Sequence, residues 1–345
     1  MEVNKEKKEF LPSLNGIRAL CIFLVIGSHA DRSINFPEIL KPYWKFLFNG
    51  GLGVNIFFVL SGYLITYLLI KEEAKNETIS LGGFYKRRFI RILPIYITLL
   101  IVFAILQFFG IFYFEPCAWL TSLTFTKNYG CGYWVDGHLW SLSVEEQFYI
   151  LWPIIFRFSG KKLRKYIAVS FLIVCPIIRV YYYRLNQNGL YSFSFQSNAD
   201  CLMWGCIGAL YLKEIIDYLK NINQRVLRLG IVIVILLLWQ LQNLFLLGWF
   251  TVPFFKTFVS ICSVLAFISY TNFKDGNSFK ILNTRFLNYI GILSYSIYVW
   301  QQLFFAPELG IFHLLPFSFI AIFIVAFLSY NLVEKPFLKL KNKLG

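Results

Sequence analysis

Charge is scarce in this chain, and histidine is scarcer still. Only 15% of its 345 residues are Asp, Glu, Lys or Arg, where a soluble domain carries about a quarter. There are three histidines and two methionines. No CxxC, HExxH or comparable ligand spacing occurs, so the common structural and hydrolytic metal sites have no basis here and no metal is expected. No low-complexity tract, internal repeat or loop long enough for a soluble catalytic module is present. Any chemistry therefore falls to side chains in or beside helices.

What the chain has in plenty is apolar surface: 58% of residues are hydrophobic and 20% aromatic, with a mean hydropathy of +0.61. The charges sit in short islands between apolar stretches of about 18–22 residues, each able to cross a hydrocarbon core of about 30 Å as a helix. These stretches predict an all-α integral membrane protein with about ten transmembrane helices. They run at about 14–31, 51–70, 92–114, 139–157, 166–184, 196–212, 229–248, 253–271, 286–305 and 314–333. Residues 1–345 read as a single membrane domain, with no soluble extracytoplasmic domain.

A net charge of +15 could point to nucleic acid, but the placement of the charges accounts for it otherwise, and no nucleic-acid partner is expected. Of the 33 Lys and Arg residues, 25 fall in alternate loops. They comprise Lys5, Lys7 and Lys8, then runs from Lys71 to Arg91, Arg157 to Lys165, Lys213 to Arg228, Lys274 to Arg285 and Lys335 to Lys343. Such a bias puts those loops and both termini in the cytoplasm. Arg18 interrupts the first apolar run, and no small-x-small site precedes Asp31-Arg32, so an uncleaved first helix is expected. Cys21, Cys175, Cys201, Cys206 and Cys262 fall inside spans as small apolar residues. Cys117 and Cys131 share the predicted outer loop 115–138, where a disulfide is open to them if that compartment is oxidising. The Trp119–Phe125 piece of this loop is too short to cross and reads as an interfacial or re-entrant segment.

Ionisable residues inside a bilayer are costly and by default signal function. In LNGIRALCIFLVIGSHA, Arg18 and His29 are eleven positions apart, about three turns, so they share a face about 16 Å apart along the axis. Singly, Arg18 would snorkel and His29 would cap; as a pair they predict a shared polar cavity. In FFVLSGYLI, Ser61 and Gly62 permit close helix packing or the approach of a ligand. In FYKRRFIRILPIY, Arg88 and Arg91 lie one turn apart on one face. Topology alone asks for basic residues there, yet two aligned guanidinium groups also suit a phosphate-bearing ligand.

The segment GHLWSLSVEEQFYILWP places His138, Ser141, Glu145 and Tyr149 at spacings of three, four and four, a stripe running inward from the outer surface. Two glutamates, a histidine and two serines in one span exceed what structure requires. Asp200 opens the sixth span as a cap, counter-ion or cavity residue. LSYSIYVWQ (293–301) and VEKPF (333–337) read as packing segments.

Six of these pieces, LNGIRAL…H (14–29), FFVLSGYLI (57–65), RFIR (88–91), HLWSLSVEEQFYILWP (138–153), LSYSIYVW (293–300) and VEKPF (333–337), occur in order over nearly the whole chain. Together they resemble the large membrane O-acyltransferase family often called acyltransferase family three, typified by O-antigen and peptidoglycan O-acetylases and nodulation-factor acetylases. The resemblance implies transfer of an acyl group, usually acetyl from cytoplasmic acetyl-CoA, to a hydroxyl of a cell-surface or lipid-linked glycan. Arg18 and His29 match the family's Arg-x10-His pair, Arg88 and Arg91 its Arg-x-x-Arg motif, and Glu145 the acidic residue of its SxxVEEQFY block. Asn15 stands where aspartate is common and Gln301 where histidine often follows, and neither departure is expected to touch the central chemistry. A multi-pass bacterial cytoplasmic (inner) membrane protein follows from the same resemblance.

The expected division of labour is then as follows. Arg88 and Arg91 hold the acidic part of acyl-CoA, a co-substrate rather than a permanently bound cofactor, with Arg18 further in. His29 acts as general base or as acyl carrier, since its ordinary pKa of about 6.5 lets it exchange a proton near neutrality. Glu145 orients a histidine or polarises the acceptor. His138, Ser141, Tyr149, Ser61 and Asp200 line the acceptor cavity. The rival classes are a multi-span transporter or flippase of glycan or lipid-linked sugar, which would not consume acyl-CoA, and a non-catalytic membrane scaffold.

Overall fold

The computed structural model describes residues 12–187, 192–244 and 246–343, and every regular element among them is helical. In order these are α1 (Pro12–Ala30), α2 (Lys41–Leu47), α3 (Gly50–Asn76), α4 (Leu81–Phe108), α5 (Pro116–Leu123), α6 (Leu139–Phe158), α7 (Lys161–Arg184) and α8 (Phe195–Leu210). There follow α9 (Leu212–Leu219), α10 (Gln224–Asn243), α11 (Gly248–Asn272), α12 (Gly276–Leu282), α13 (Arg285–Gln301), α14 (Phe317–Ser329) and α15 (Lys335–Lys343), with a π-helical turn at Tyr330–Glu334 between the last two.

Among the described residues, seven helical stretches are long and apolar enough to cross a membrane: Ser13–Ala30, Glu38–Asn76, Leu81–Phe108, Lys161–Arg184, Gln224–Asn243, Gly248–Asn272 and Phe317–Leu340. The chain is a multi-span membrane protein. The stretches expected at 139–157, 196–212 and 286–305 do form helices, α6, α8 and α13, but fall outside that set. α6 carries Glu145, Glu146 and Arg157, while α8 and α13 have only 16 and 17 residues. All three present many buried residues, and a helix enclosed by protein has no need of a lipid-compatible surface.

Helix limits also differ from expectation in one place that matters. The third span was expected at 92–114, yet α4 begins at Leu81. Ser80 caps it, its Oγ accepting from the Gly83 amide at 3.1 Å, an orphan-donor contact that lets the basic segment be helical from the first turn. Arg88 and Arg91 are thus held on a rigid helix rather than in the connection before it. At the far end the chain turns at Gly110, whose φ of +69° favours glycine.

α1 lies between α3 and α13. Asn15 Nδ2 donates to Asn288 Oδ1 at 2.7 Å near one end of α1, and His29 Nδ1 meets Gln301 Oε1 at 2.7 Å near the other, so α1 and α13 run parallel and in register. α3 packs on α8 at backbone distance. A Cβ at Gly62 would stand 1.9 Å from the Leu202 carbonyl oxygen, and one at Gly205 2.0 Å from that of Val59. Small residues at such a crossing let two membrane helices touch, which is the packing role that Gly62 suggested in the sequence.

Ion pairs gather one end of the bundle. Arg164 makes a bidentate bridge to Glu73 at 2.8 and 2.7 Å, and Arg87 binds Glu72 at 2.7 Å. The C-terminal part of α3 and the first turns of α4 and α7 therefore share a basic end. Lys5, Lys7 and Lys8 lie outside the described residues. Toward the opposite end, α5 dips inward. Tyr96, near the middle of the 28-residue α4, donates its hydroxyl to the Ser122 carbonyl at 2.8 Å, and its ring stacks on Phe125 at 4.7 Å. The segment is re-entrant, and Cys117 and Cys131 close a disulfide across its base, with Cα atoms 6.0 Å apart.

Candidate active site

Two polar groups occupy the space between α1, α3, α4, α6 and α13, one toward each end. Toward the basic end, Glu145 accepts from Ser61 Oγ at 2.8 Å and from the Tyr149 hydroxyl at 3.2 Å. The Arg88 guanidinium lies 4.8 Å above the Tyr149 ring, a cation–π contact, and both Arg88 and Arg18 are within electrostatic reach of Glu145. Glu334, delivered by the π-helical turn, accepts from Ser296 Oγ at 2.9 Å and faces Arg91 and Arg18. Arg18, Arg88, Arg91, Glu145, Ser61 and Tyr149 are thus brought together, although five of them come from three separate segments flanking α1.

Toward the opposite end, His29 and His138 come within electrostatic reach of each other. The Gln301 Oε1 that meets His29 Nδ1 can only accept, so Nδ1 carries the proton and Nε2 keeps its lone pair. The Trp134 ring stands edge-on to the imidazole at 5.9 Å. His138 Nε2 donates to the Val299 carbonyl at 3.0 Å, which leaves Nδ1 as an acceptor, buried and without a partner among the described residues. Ser141 Oγ lies 2.5 Å from the Tyr298 hydroxyl, which in turn donates to the His138 carbonyl at 3.0 Å. Tyr298 is also within electrostatic reach of Glu145, so the two groups form one file. The arrangement thus puts an imidazole held through Nδ1 at one end and a cluster of three guanidinium groups at the other.

Asp200 is not part of this file. Both its oxygens are taken by Arg179, at 2.7 Å each, and both side chains are wholly buried between α7, α8 and α11. Thr257 Oγ1 and Cys201 Sγ approach the same two oxygens at 3.1 and 3.8 Å, so of the roles open to Asp200 the structure shows the counter-ion, and the expectation of an acceptor-cavity residue is replaced by a structural role. Sequence reasoning also set Gln301 aside as peripheral, whereas it is the direct partner of His29. Glu334, Tyr298 and Trp134 were not singled out for the site at all. The available signals were the LSYSIYVW and VEKPF pieces that hold Tyr298 and Glu334, and the pair of glutamines, Gln301 and Gln302, at the end of α13; the second accepts from the His138 amide at 2.9 Å.

The model of a family described as an acyltransferase domain matches residues 11–331. The chain belongs to this family. It is similar to the O-acetyltransferase OatA of Staphylococcus aureus (strain NCTC 8325 / PS 47), with 28% identity over 85% of this chain and 50% of the relative. It is also similar to the peptidoglycan O-acetyltransferase OatA of Listeria monocytogenes serovar 1/2a, with 27% identity over 96% of this chain and 56% of the relative. The chain therefore spans about half the length of the curated relatives it matches. No solved structure matches it. All of the polar file except Glu334 lies inside the matched segment.

Proposed function

We propose that this acyltransferase-family chain is a membrane O-acetyltransferase of a bacterial cytoplasmic membrane, moving acetyl from cytoplasmic acetyl-CoA to a hydroxyl of a cell-envelope glycan of the peptidoglycan type. Ten spans are part of the proposal, with α6, α8 and α13 crossing inside the bundle and both termini on the cytoplasmic, basic side. The observation that carries it is the file from Arg88, Arg91 and Arg18, past Glu145, to the His29–Gln301 pair. The name of the Listeria relative supplies the acceptor class.

In this reading the guanidinium cluster takes the phosphates of acetyl-CoA, because delocalised planar cations bind phosphate oxygens in paired hydrogen bonds. His29 Nε2 accepts the acceptor hydroxyl's proton as its oxygen attacks the thioester carbon. The C–O bond forms, the C–S bond breaks, and the proton passes on to the departing thiolate. Gln301 holds the imidazole in the tautomer this needs. Glu145, bonded by Ser61 and Tyr149, balances the arginines so that the cluster is not a bare block of like charge.

The test is His29→Ala in cells, with O-acetyl content of purified envelope glycan measured by mass spectrometry and protein level measured in membranes. Loss of all O-acetyl product at an unchanged protein level is expected. Product retained at the parental level removes His29 from the mechanism and the proposal with it.

A further inference from the structure

A cleft adjoins the polar file, with Arg88 and Tyr149 of that file in its wall. It encloses about 140 Å³ between α4, α6 and the re-entrant segment, and Arg88, Phe89, Thr124, Thr126, Glu146 and Ile150 are among its lining residues. Its depth follows from the re-entrant segment: Ser122 and Phe125 meet Tyr96 near the middle of α4, so Thr124 and Thr126 lie about halfway across the bundle. Both are exposed. Their hydroxyls bond each other at 2.8 Å, and Thr124 Oγ1 also reaches the Leu120 carbonyl at 2.7 Å; irregular backbone at that depth is tolerated where it lines a polar cavity, not where it meets lipid tails.

Glu146 is the residue that asks for an explanation. It is only 8% exposed and lines the cleft. It differs from its neighbour Glu145, which is held by Ser61 and Tyr149. No hydrogen bond or close ion pair reaches Glu146 from the described residues, and the nearest counter-charge is Arg88. Arg88 itself stacks on Tyr149 and makes no hydrogen bond to an acceptor among the described residues. A buried carboxylate and a guanidinium that both line one cleft, each short of partners, form a built site with an acceptor at one point and a cationic donor at another. The mouth is framed by Phe89 and Ile150, 51% and 55% exposed. In a membrane protein such faces meet lipid, so a ligand reaching this cleft does so from the bilayer.

We infer that the cleft binds the head of a membrane-anchored phosphate ester carrying free hydroxyls, with its phosphate on Arg88 and a hydroxyl donating to Glu146. Two sources share this chemistry, a bulk anionic phospholipid with a hydroxylated head and a lipid-linked saccharide. Arg88 then borders both the donor cluster and the cleft. The inference does not depend on acyl transfer, and its test reads binding alone.

The test is native mass spectrometry of the full chain in phosphatidylcholine nanodiscs doped with phosphatidylglycerol or with a polyprenyl-phosphate-linked N-acetylglucosamine. Soluble glycerol 1-phosphate serves as the unanchored control. Retention of at least one doped lipid over phosphatidylcholine is expected, and the better-retained one names the source. Glu146→Ala should lower that retention about tenfold, the size of one hydrogen bond to a charged group. Ile150→Trp, on an exposed position where the fold is not at stake, should block the mouth and lower it as much. Equal retention in the parent and both variants overturns the inference, as does glycerol 1-phosphate binding as well as the lipids. Because O-acetyl transfer is not the readout, a null result here leaves the acyltransferase reading standing.

Discussion

Removal of the Asp200 carboxylate should damage the fold and not the chemistry. Arg179 offers five N–H groups, and the structure places an acceptor against each: Pro253 O at 2.6 Å from Nε, Ser197 O and Asp200 Oδ1 at 2.8 and 2.7 Å from Nη1, and Asp200 Oδ2 and Thr257 Oγ1 at 2.7 and 2.6 Å from Nη2. Both charged side chains have no exposure. Asp200→Ala leaves two buried donors unpaired and a guanidinium charge without its counter-ion, which destabilises by about 3–5 kcal/mol. Replacing both partners, Arg179→Met with Asp200→Leu, removes the charges together and should be near neutral, so the two single changes should be strongly non-additive. Unfolding of the purified protein in mixed micelles gives the free energies, and O-acetyl content of the envelope gives the activity per folded molecule. The expected result is a large stability loss in each single variant, recovery in the double variant, and activity per folded molecule kept in all three. If Asp200→Ala unfolds within about 1 kcal/mol of the parent, less than even one unpaired buried group should cost, and yet abolishes O-acetylation, the reasoning fails and Asp200 belongs to the acceptor cavity after all.

Three further outcomes follow from contacts elsewhere. Gln301→Ala frees the His29 ring to turn and to change tautomer, and should lower O-acetylation about tenfold or more at unchanged protein level; unchanged product would make the pair incidental. Gly62→Val drives a side chain into the Leu202 carbonyl, so α3 and α8 must part, and overpacking by about 1–3 kcal/mol or more should appear as lost monodisperse yield in size-exclusion chromatography. Cys117→Ser opens a loop of 14 residues, a change of about 3 kcal/mol in the chain-entropy account, which limited proteolysis should detect as faster cutting within 115–138.

Helical periodicity made the site half legible. It fixes which residues of one helix share a face, and so Arg18 with His29, and the stripe from His138 to Tyr149, could be read before any packing was known. It is silent on which helix that face meets. Gln301 lies 272 positions from His29, and Ser61 lies 84 from Glu145; nothing local links them. The same blindness split Arg179 from Asp200, because each alone is a polar residue in an apolar run and only their 2.7 Å contacts show that they cancel. That Trp119–Phe125 does not cross, by contrast, was legible from length alone, whereas its choice between interface and inward dip rests on the Tyr96 contacts. The expected ten spans and the seven that qualify by length and composition differ at α6, α8 and α13, helices whose polar or short character is tolerated where protein, not lipid, surrounds them.

Arg179 also gives a standard by which the site can be judged. There, a guanidinium buried for structure has an acceptor against each of its five N–H groups. In the polar file the pattern is otherwise: Arg18 Nε, His138 Nδ1 and Gln301 Nε2 are buried and lack a hydrogen-bond partner among the described residues. Each such group costs about 1–3 kcal/mol. An orphaned atom is not by itself diagnostic, for other buried atoms are in the same position, among them the indole nitrogens of Trp204, Trp239 and Trp300, Asp136 Oδ1 and His313 Nδ1. What sets Arg18 Nε, His138 Nδ1 and Gln301 Nε2 apart is their place, one in the guanidinium cluster and two beside His29. On the function proposed above, these are the atoms that a phosphate-bearing donor and a sugar hydroxyl would use, and active sites commonly give up stability in this way.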